Sequence, residues 1–182
     1  DFNYLKALRE SDVIEDDMLK RQLDILYKNY LGSQIEPDLN RQIKELSTKI
    51  EGVFGNYRTQ VDGRIYSDND VTRILKTSRD SDFRENLWRA QKSIGLEVAD
   101  DIVNLAKLRN QAARQLGFEN YFHMAMKMSE LDPAEVTAIF DELFELTEEP
   151  FREVHQEIES VFSKRYRIKK DQIRPWHYED LF

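Results

Sequence analysis

The chain has 182 residues, of which 40% are apolar and 34% are charged, a length and composition that suit one ordinary domain with a hydrophobic core. Its formal net charge of −8 argues against nucleic acid as a partner, because phosphate binding needs a surplus of Lys and Arg. No apolar run approaches the roughly 20 residues that span a bilayer, and without Cys the chain has no disulfide or thiolate chemistry.

Two helices are predicted before residue 55. Apolar residues recur every three or four positions across residues 12–31, and Gly32 ends that stretch. Pro37 fits the first position of the next helix, whose apolar stripe extends to Phe54. With only six Gly and four Pro in the chain, long helices are favoured over a many-stranded sheet.

A change of period at residues 55–67 predicts a β-hairpin. Tyr57, Thr59 and Val61 alternate with polar residues, and Asp62-Gly63 follows them. Asp-Gly between β-forming residues is a two-residue hairpin turn. An isolated hairpin is only marginally stable, so we expect it to pack against the helices.

The middle of the chain predicts a short helix and then a very long one. Ser67 with Asp70 three residues later is typical of a helix start. Asp82 is predicted to begin a second helix, whose apolar residues from 83 to 116 give it more than thirty residues. Gly117 would end it in the usual C-terminal glycine position.

Two helices are predicted near the C-terminus. Residues 118–129 form a short apolar segment with alternating Met residues, which indicates a helix buried on all sides. Asp132 and Pro133 are typical of a helix start. The pattern that follows runs past Pro150, where the missing backbone donor predicts a kink.

Catalytic motifs are missing from the sequence. The three histidines, His123, His155 and His177, form neither a His-Glu-x-x-His nor a Glu-x-x-His motif. For His155 and Glu159, four residues apart, we favour a surface ion pair over half of a metal site. For His123 we favour a packed or hydrogen-bonded role over a ligand, and His177 suits either a cleft or an exposed loop.

Two charged segments are interpreted as solvent-facing. The basic run at residues 164–174 is best explained as cations that oppose the partial negative charge of a helix C-terminus, and a nucleic-acid patch is the weaker alternative. The acidic residues between 142 and 149 are expected to form a solvated helix face. We predict no catalytic, cofactor-binding or metal-binding residue in this chain.

Both ends of the chain resemble cut ends. The sequence opens inside a helical pattern without a start Met or a signal peptide, and it closes on an apolar segment. We therefore expect a fragment of a larger protein that forms a single helical domain over residues 1–182. Cytoplasmic and bacterial exported locations both stay open.

Several segments, read in order, resemble one enzyme family. Residues 67–79 are similar to the acidic-start "DLTxIxxxSR" element of the angiotensin-converting-enzyme family of zinc dipeptidases, and Leu87-Trp88-Arg89-Ala90 follows at the spacing of its "LxxAWxxWR" helix. Residues 108–118 resemble its "LxNxAARxxGY" ending. Residues 173–178 resemble the linker that leads towards the catalytic half in bacterial members.

This resemblance implies the N-terminal helical half of an oligopeptidase-type zinc metallopeptidase. The parent enzyme would hydrolyse short peptides in a deep cleft, and its zinc ligands and general-base glutamate would lie downstream of Phe182. This fragment would form a cleft wall and lid, would be inactive alone and would have the C-terminal catalytic half as its partner. Where animal members commonly carry Trp-Arg with a chloride-binding arginine, this chain has Phe122-His123.

The expected fold class is therefore all-α, a bundle of long amphipathic helices with one small hairpin, as part of a larger helical peptidase. The rival hypothesis is a freestanding helical module whose amphipathic helices present a groove to a partner helix or peptide. A reading frame that continues to a His-Glu-x-x-His motif would favour the peptidase.

Overall fold

A computed structural model describes residues 2–178, and 79% of the described chain is helical. The helices are α1 (Phe2–Ser11), α2 (Asp17–Leu31), α3 (Pro37–Asn56), α4 (Asp68–Thr77), α5 (Ser81–Lys92), α6 (Ile94–Gln115), α7 (Tyr121–Met128) and α8 (Pro133–Tyr166). Short 3-10 helices are found at Gly32–Gln34, Lys170–Gln172 and Pro175–His177, and strands β1 (Thr59–Val61) and β2 (Arg64–Tyr66) form an antiparallel pair. The predicted all-α class with one small hairpin is confirmed. The apolar ending, except for Tyr178, lies outside the described residues.

The hairpin at β1 and β2 forms as predicted. Asp62 and Gly63 have φ values of 52° and 75°, so both central turn residues are left-handed, as a type I′ turn requires. Thr59 pairs with Tyr66 and Val61 pairs with Arg64. Thr59 and Val61 are buried, which places one face of β1 against the helices of its unit.

Helix starts follow side chains that accept backbone N–H groups. Ser67 caps α4 in a capping box with Asp70, as predicted. The predicted start at Asp82 is wrong, because the Asp80 carboxylate accepts the N–H groups of Asp82 and Phe83, both at 3.1 Å, and begins α5. The predicted start of α2 at residue 12 is also wrong. Asp12 has a φ of 49° and cannot continue a helix, and Asp16 is the cap.

The long helix predicted over residues 83–116 is wrong, because Ser93 separates α5 from α6. The Ala90 carbonyl, which would bond the N–H four residues on in a continuous helix, instead accepts the Tyr57 hydroxyl at 2.5 Å and the Ser93 hydroxyl at 2.7 Å. The end at Gly117 is confirmed. Gly117 has a φ of 87°, and its N–H and that of Phe118 donate to Arg114 and Ala113, a Schellman motif.

The last two helices differ from the prediction in detail. Helix α7 begins at Tyr121, after the Asn120 side chain accepts the His123 N–H at 3.0 Å. It is not buried on all sides, since Tyr121 and Phe122 are exposed and only one face, with Met124, is covered. Helix α8 begins at Pro133 as predicted and continues through Pro150. The bend at Pro150 stays a prediction.

Contacts within the described chain divide into two compact units, residues 2–49 with 101–138 and residues 50–100 with 139–178. The first unit buries side chains of α2, α3, α6 and α7, including Leu31, Leu39 and Met124. In the second unit, Val61, Val71, Leu75 and Leu87 form a core between the hairpin, α4 and α5. One domain over residues 1–182 stays a prediction. None of the helices within residues 2–178 combines the length and apolar character that a bilayer span requires.

Candidate functional site

The first unit contains a cavity of about 540 Å³ that is lined by both apolar and charged side chains. Leu31, Leu116, Phe118 and Met128 contribute apolar side chains to its lining. A pocket of this volume with apolar side chains in its lining accommodates an apolar or aromatic group of a small ligand.

Most of the charged side chains that line this cavity form ion pairs with one another. The Arg9 Nε lies 2.5 Å from Asp24 Oδ1, and the Lys28 Nζ lies 3.7 Å from Asp24 and 3.5 Å from Glu130. Lys127 pairs with Asp132. Most of the charged side chains that line this cavity are therefore already paired with an opposite charge.

Glu130, in the turn between α7 and α8, links that turn to α2. Its two carboxylate oxygens accept the two Arg21 Nη groups at 3.0 and 2.9 Å, a bidentate pair. These bonds, followed by the Arg21 and Lys28 charges, lower the pKa of the Glu130 carboxyl. Its backbone has a φ of 61°, a left-handed conformation that Gly adopts more easily. Glu130 therefore forms its ion pair with Arg21 from an unfavourable backbone conformation.

Helix α1 is attached to α2 by contacts near the surface. None of its residues is fully buried. The Phe2 ring stacks on Tyr27 with centroids 5.2 Å apart, and the Arg9 guanidinium lies 4.7 Å from the centre of the same ring. A helix with so little buried surface belongs to the least stable part of a structure and opens locally at low cost.

The second unit is organised around a buried arginine. Arg84 is fully buried on α5, and its Nε donates to the Trp176 carbonyl at 2.7 Å. Its Nη1 donates to the carbonyls of Leu75 and, at 3.1 Å, Ser78, and its Nη2 donates to Tyr178 at 2.9 Å. One guanidinium therefore joins the C-terminal end of α4 to the segment after α8.

His177 is buried beside this arginine, and the exposed loop considered for it is excluded. Its Nδ1 accepts the Arg174 N–H at 2.8 Å, so the ring proton lies on Nε2, which donates to Ser81 Oγ at 2.7 Å. Burial lowers the pKa of His177, and the positive charges of Arg84 and Arg174 lower it further. The ring is therefore held neutral, in a structural position.

The other two histidines make local contacts. His155 Nδ1 lies 3.6 Å from Glu159, the predicted pair, and its Nε2 lies 3.1 Å from the Tyr178 hydroxyl. His123 is half-buried, and its Nδ1 lies 3.2 Å from Asn120 Oδ1, which agrees with the hydrogen-bonded role favoured for it. Within residues 2–178, no three His, Asp or Glu side chains group closely enough to hold a metal ion.

Charged segments near α8 agree in part with their interpretation. The acidic residues between 142 and 149 are exposed. Lys164 and Arg165 lie in the last turn of α8, and Arg174 Nη1 donates to the carbonyls of Asp171 and Ile173 at 2.7 and 2.8 Å. These cations therefore lie where backbone carbonyls need donors.

Sequence reasoning missed Arg84 and Glu130. Arg84 is three residues from the buried Leu87 and so shares its helix face. A charge on the apolar face of a predicted helix was the available signal. For Glu130 no local pattern pointed to Arg21, which is 109 residues away.

Residues 4–178 match the family model described as angiotensin-converting enzyme. The chain belongs to this family of peptidases. The match covers nearly the whole chain and confirms the resemblance found in its motifs. No curated protein and no solved structure matches the chain.

Proposed function

We propose that this chain forms the helical cleft-wall and lid portion of a zinc-dependent peptidase that hydrolyses short peptides, and that it supplies no catalytic group. The observation that carries this proposal is the match to the angiotensin-converting-enzyme family across residues 4–178. The helical fold agrees with such a role, because a wall contributes shape and exclusion of water without reactive side chains.

Helix α1 has the properties expected of a lid. It contacts α2 through the Phe2–Tyr27 stack and the Arg9–Asp24 ion pair, and none of its residues is fully buried. Lid segments are drawn from the least stable parts of a protein, because they must open for substrate entry. The cavity beside Arg9 and Tyr27 would accept an apolar side chain of a peptide when the lid is closed.

The described residues do not fit a zinc site. A catalytic zinc needs three protein ligands, and residues 2–178 bring no three potential ligands together. In this proposal the zinc is bound by a C-terminal catalytic half, which would be the partner of this chain.

The proposal is tested by comparing the chain alone with the chain co-expressed with the C-terminal half of its parent peptidase. The isolated chain should bind no stoichiometric zinc and should leave a short, internally quenched peptide intact, whereas the assembled protein should cleave it. One equivalent of zinc in the isolated chain, or peptide cleavage by it, would overturn the proposal.

The lid assignment has its own test in the assembled peptidase. Replacing Phe2 with Ala and Arg9 with Gln removes the ring stack and the ion pair between α1 and α2, and should raise cleavage of longer peptides relative to short ones. An Arg41→Gln variant, which breaks only exposed pairs within α3, is the matched control. An unchanged length preference in the double variant would refute the lid.

A further inference from the structure

An apolar stripe on α8 is left uncovered in the structure. All of residues 137–154 are exposed, although this part of the helix carries many large apolar side chains. The exposed fraction ranges from 47% at Leu143 to 68% at Phe151. The stripe consists chiefly of Phe140, Leu143, Phe144, Leu146, Phe151 and Val154. Steps of three, four and seven residues place these side chains on one face of the helix.

Acidic residues border this stripe on both sides. Glu142, Glu149 and Glu153 follow one edge at steps of seven and four residues, and Asp141 and Glu148 follow the other at a step of seven. Residues 139–154 contain six acidic residues and one arginine, Arg152, a net charge of −5. The surface therefore combines an apolar centre with negative rims.

We propose that the α8 stripe, residues 139–154, binds an amphipathic α-helix whose apolar face is bordered by Lys or Arg. Sixteen residues at about 1.5 Å each give an apolar strip about 24 Å long, which matches a partner helix of four to five turns. Apolar side chains along that helix would cover the strip, and its basic residues would face the acidic rims. This inference does not depend on the proposed peptidase function.

The charge of the stripe disfavours other occupants. A second copy of α8 would bring two segments of net charge −5 together, and like charges at an interface oppose association. An anionic membrane surface would repel the same rims. A cationic helix is the occupant that satisfies both the apolar and the charged parts of the surface.

Two synthetic probes test this inference on the 182-residue chain. Both are 18-residue amphipathic helices with the same Leu and Phe positions, and one has Lys and the other Glu beside the apolar face. We expect the Lys peptide to bind at least about tenfold more tightly by fluorescence anisotropy. Higher salt should reduce the difference in affinity between the two peptides, because screening weakens interactions between charges.

Variants of the chain locate the binding. The double variant Phe140→Ser, Phe144→Ser should bind the Lys peptide at least about tenfold more weakly than the wild type. The double variant Ile65→Ser, Leu96→Ser, at exposed apolar positions outside α8, should bind it as tightly as the wild type. Glu142→Lys with Glu153→Lys should shift the preference towards the Glu peptide. As a control, the circular dichroism spectrum of each variant should show the helix content of the wild type.

Several outcomes would overturn the proposal. Equal binding of both peptides would indicate nonspecific hydrophobic contact. An equal loss of affinity for the Lys peptide in the two double Ser variants would show that the binding site is not the α8 stripe. A wild-type dimer that the Phe140→Ser and Phe144→Ser changes convert to a monomer would assign the stripe to a second copy.

Discussion

Replacing Arg84 with Met should strongly destabilise the second unit. Met keeps much of the volume of the side chain but removes the donors that reach four backbone carbonyls. The bonds to Leu75 and Trp176 are buried, so their loss leaves acceptors without water. The bonds to Ser78 and Tyr178 are partly buried, and water can replace them in part.

The expected loss is about 4 kcal/mol in the free energy of unfolding. Hydrogen bonds to a charged group contribute roughly 1.5–3 kcal/mol each, and the two buried ones account for most of the loss. Arg84→Lys should lose about half as much, because one ammonium keeps the charge but cannot reach both α4 and the segment after α8. Loss of the guanidinium contact with the Tyr166 ring, at 5.0 Å, adds a smaller amount.

Tryptophan fluorescence in urea measures this loss selectively. The two tryptophans of the chain, Trp88 and Trp176, both belong to the second unit and lie 5.9 Å apart between ring centroids. Arg73→Met, which breaks an exposed pair with Asp70, is the control and should change stability by no more than about 0.5 kcal/mol. A loss below about 1 kcal/mol in Arg84→Met would refute the role given to these bonds.

Three further predictions concern a histidine, a turn and a proline. Because the pKa of His177 is lowered in the folded state, the unfolded ring binds the proton first, and stability should fall as pH drops below about 6.5. Between about pH 7.5 and about pH 5.5, the urea midpoint of His177→Gln should therefore fall less than that of the wild type. An equal fall in the two proteins would contradict this prediction. Gly63→Ala should lower the free energy of unfolding by about 1 kcal/mol, because the φ of Gly63 is 75°. Gly52→Ala, inside α3, should raise it by a similar amount in the same urea titration. A change of the same sign in both variants would contradict this reasoning. Pro150→Ala should restore a backbone donor within α8 and slow amide hydrogen exchange around residues 150–154. Unchanged exchange would show that the missing donor does not weaken the helix there.

The elements that the sequence predicted correctly depend on neighbouring residues. Asp62-Gly63 determines its own turn, and Ser67 with Asp70 closes a capping box within four residues. Gly117 likewise ends α6 through bonds to carbonyls three and five residues before the N–H groups concerned. Such features are encoded locally and need no knowledge of the fold.

The starts of α2 and α5 were misplaced although their caps are local, whereas other features that the sequence did not predict depend on distant residues. The break at Ser93 involves the hydroxyl of Tyr57, which is 36 residues away and donates to the Ala90 carbonyl. The burial of His177 depends on Ser81, 96 residues away. Periodicity describes which face of a helix is apolar, but it carries no information about a hydroxyl that arrives from another element.

Polar and apolar groups are distributed differently between the interior of the second unit and the surface of α8. Its buried polar side chains are Thr59, Arg84 and His177, and each forms a hydrogen bond to backbone or to a side chain of the same unit, so they hold chain segments together. Its apolar surface on α8, in contrast, is uncovered over residues 139–154. Covering those side chains would contribute about 1.5 kcal/mol or more for each one fully buried, a large favourable term for association.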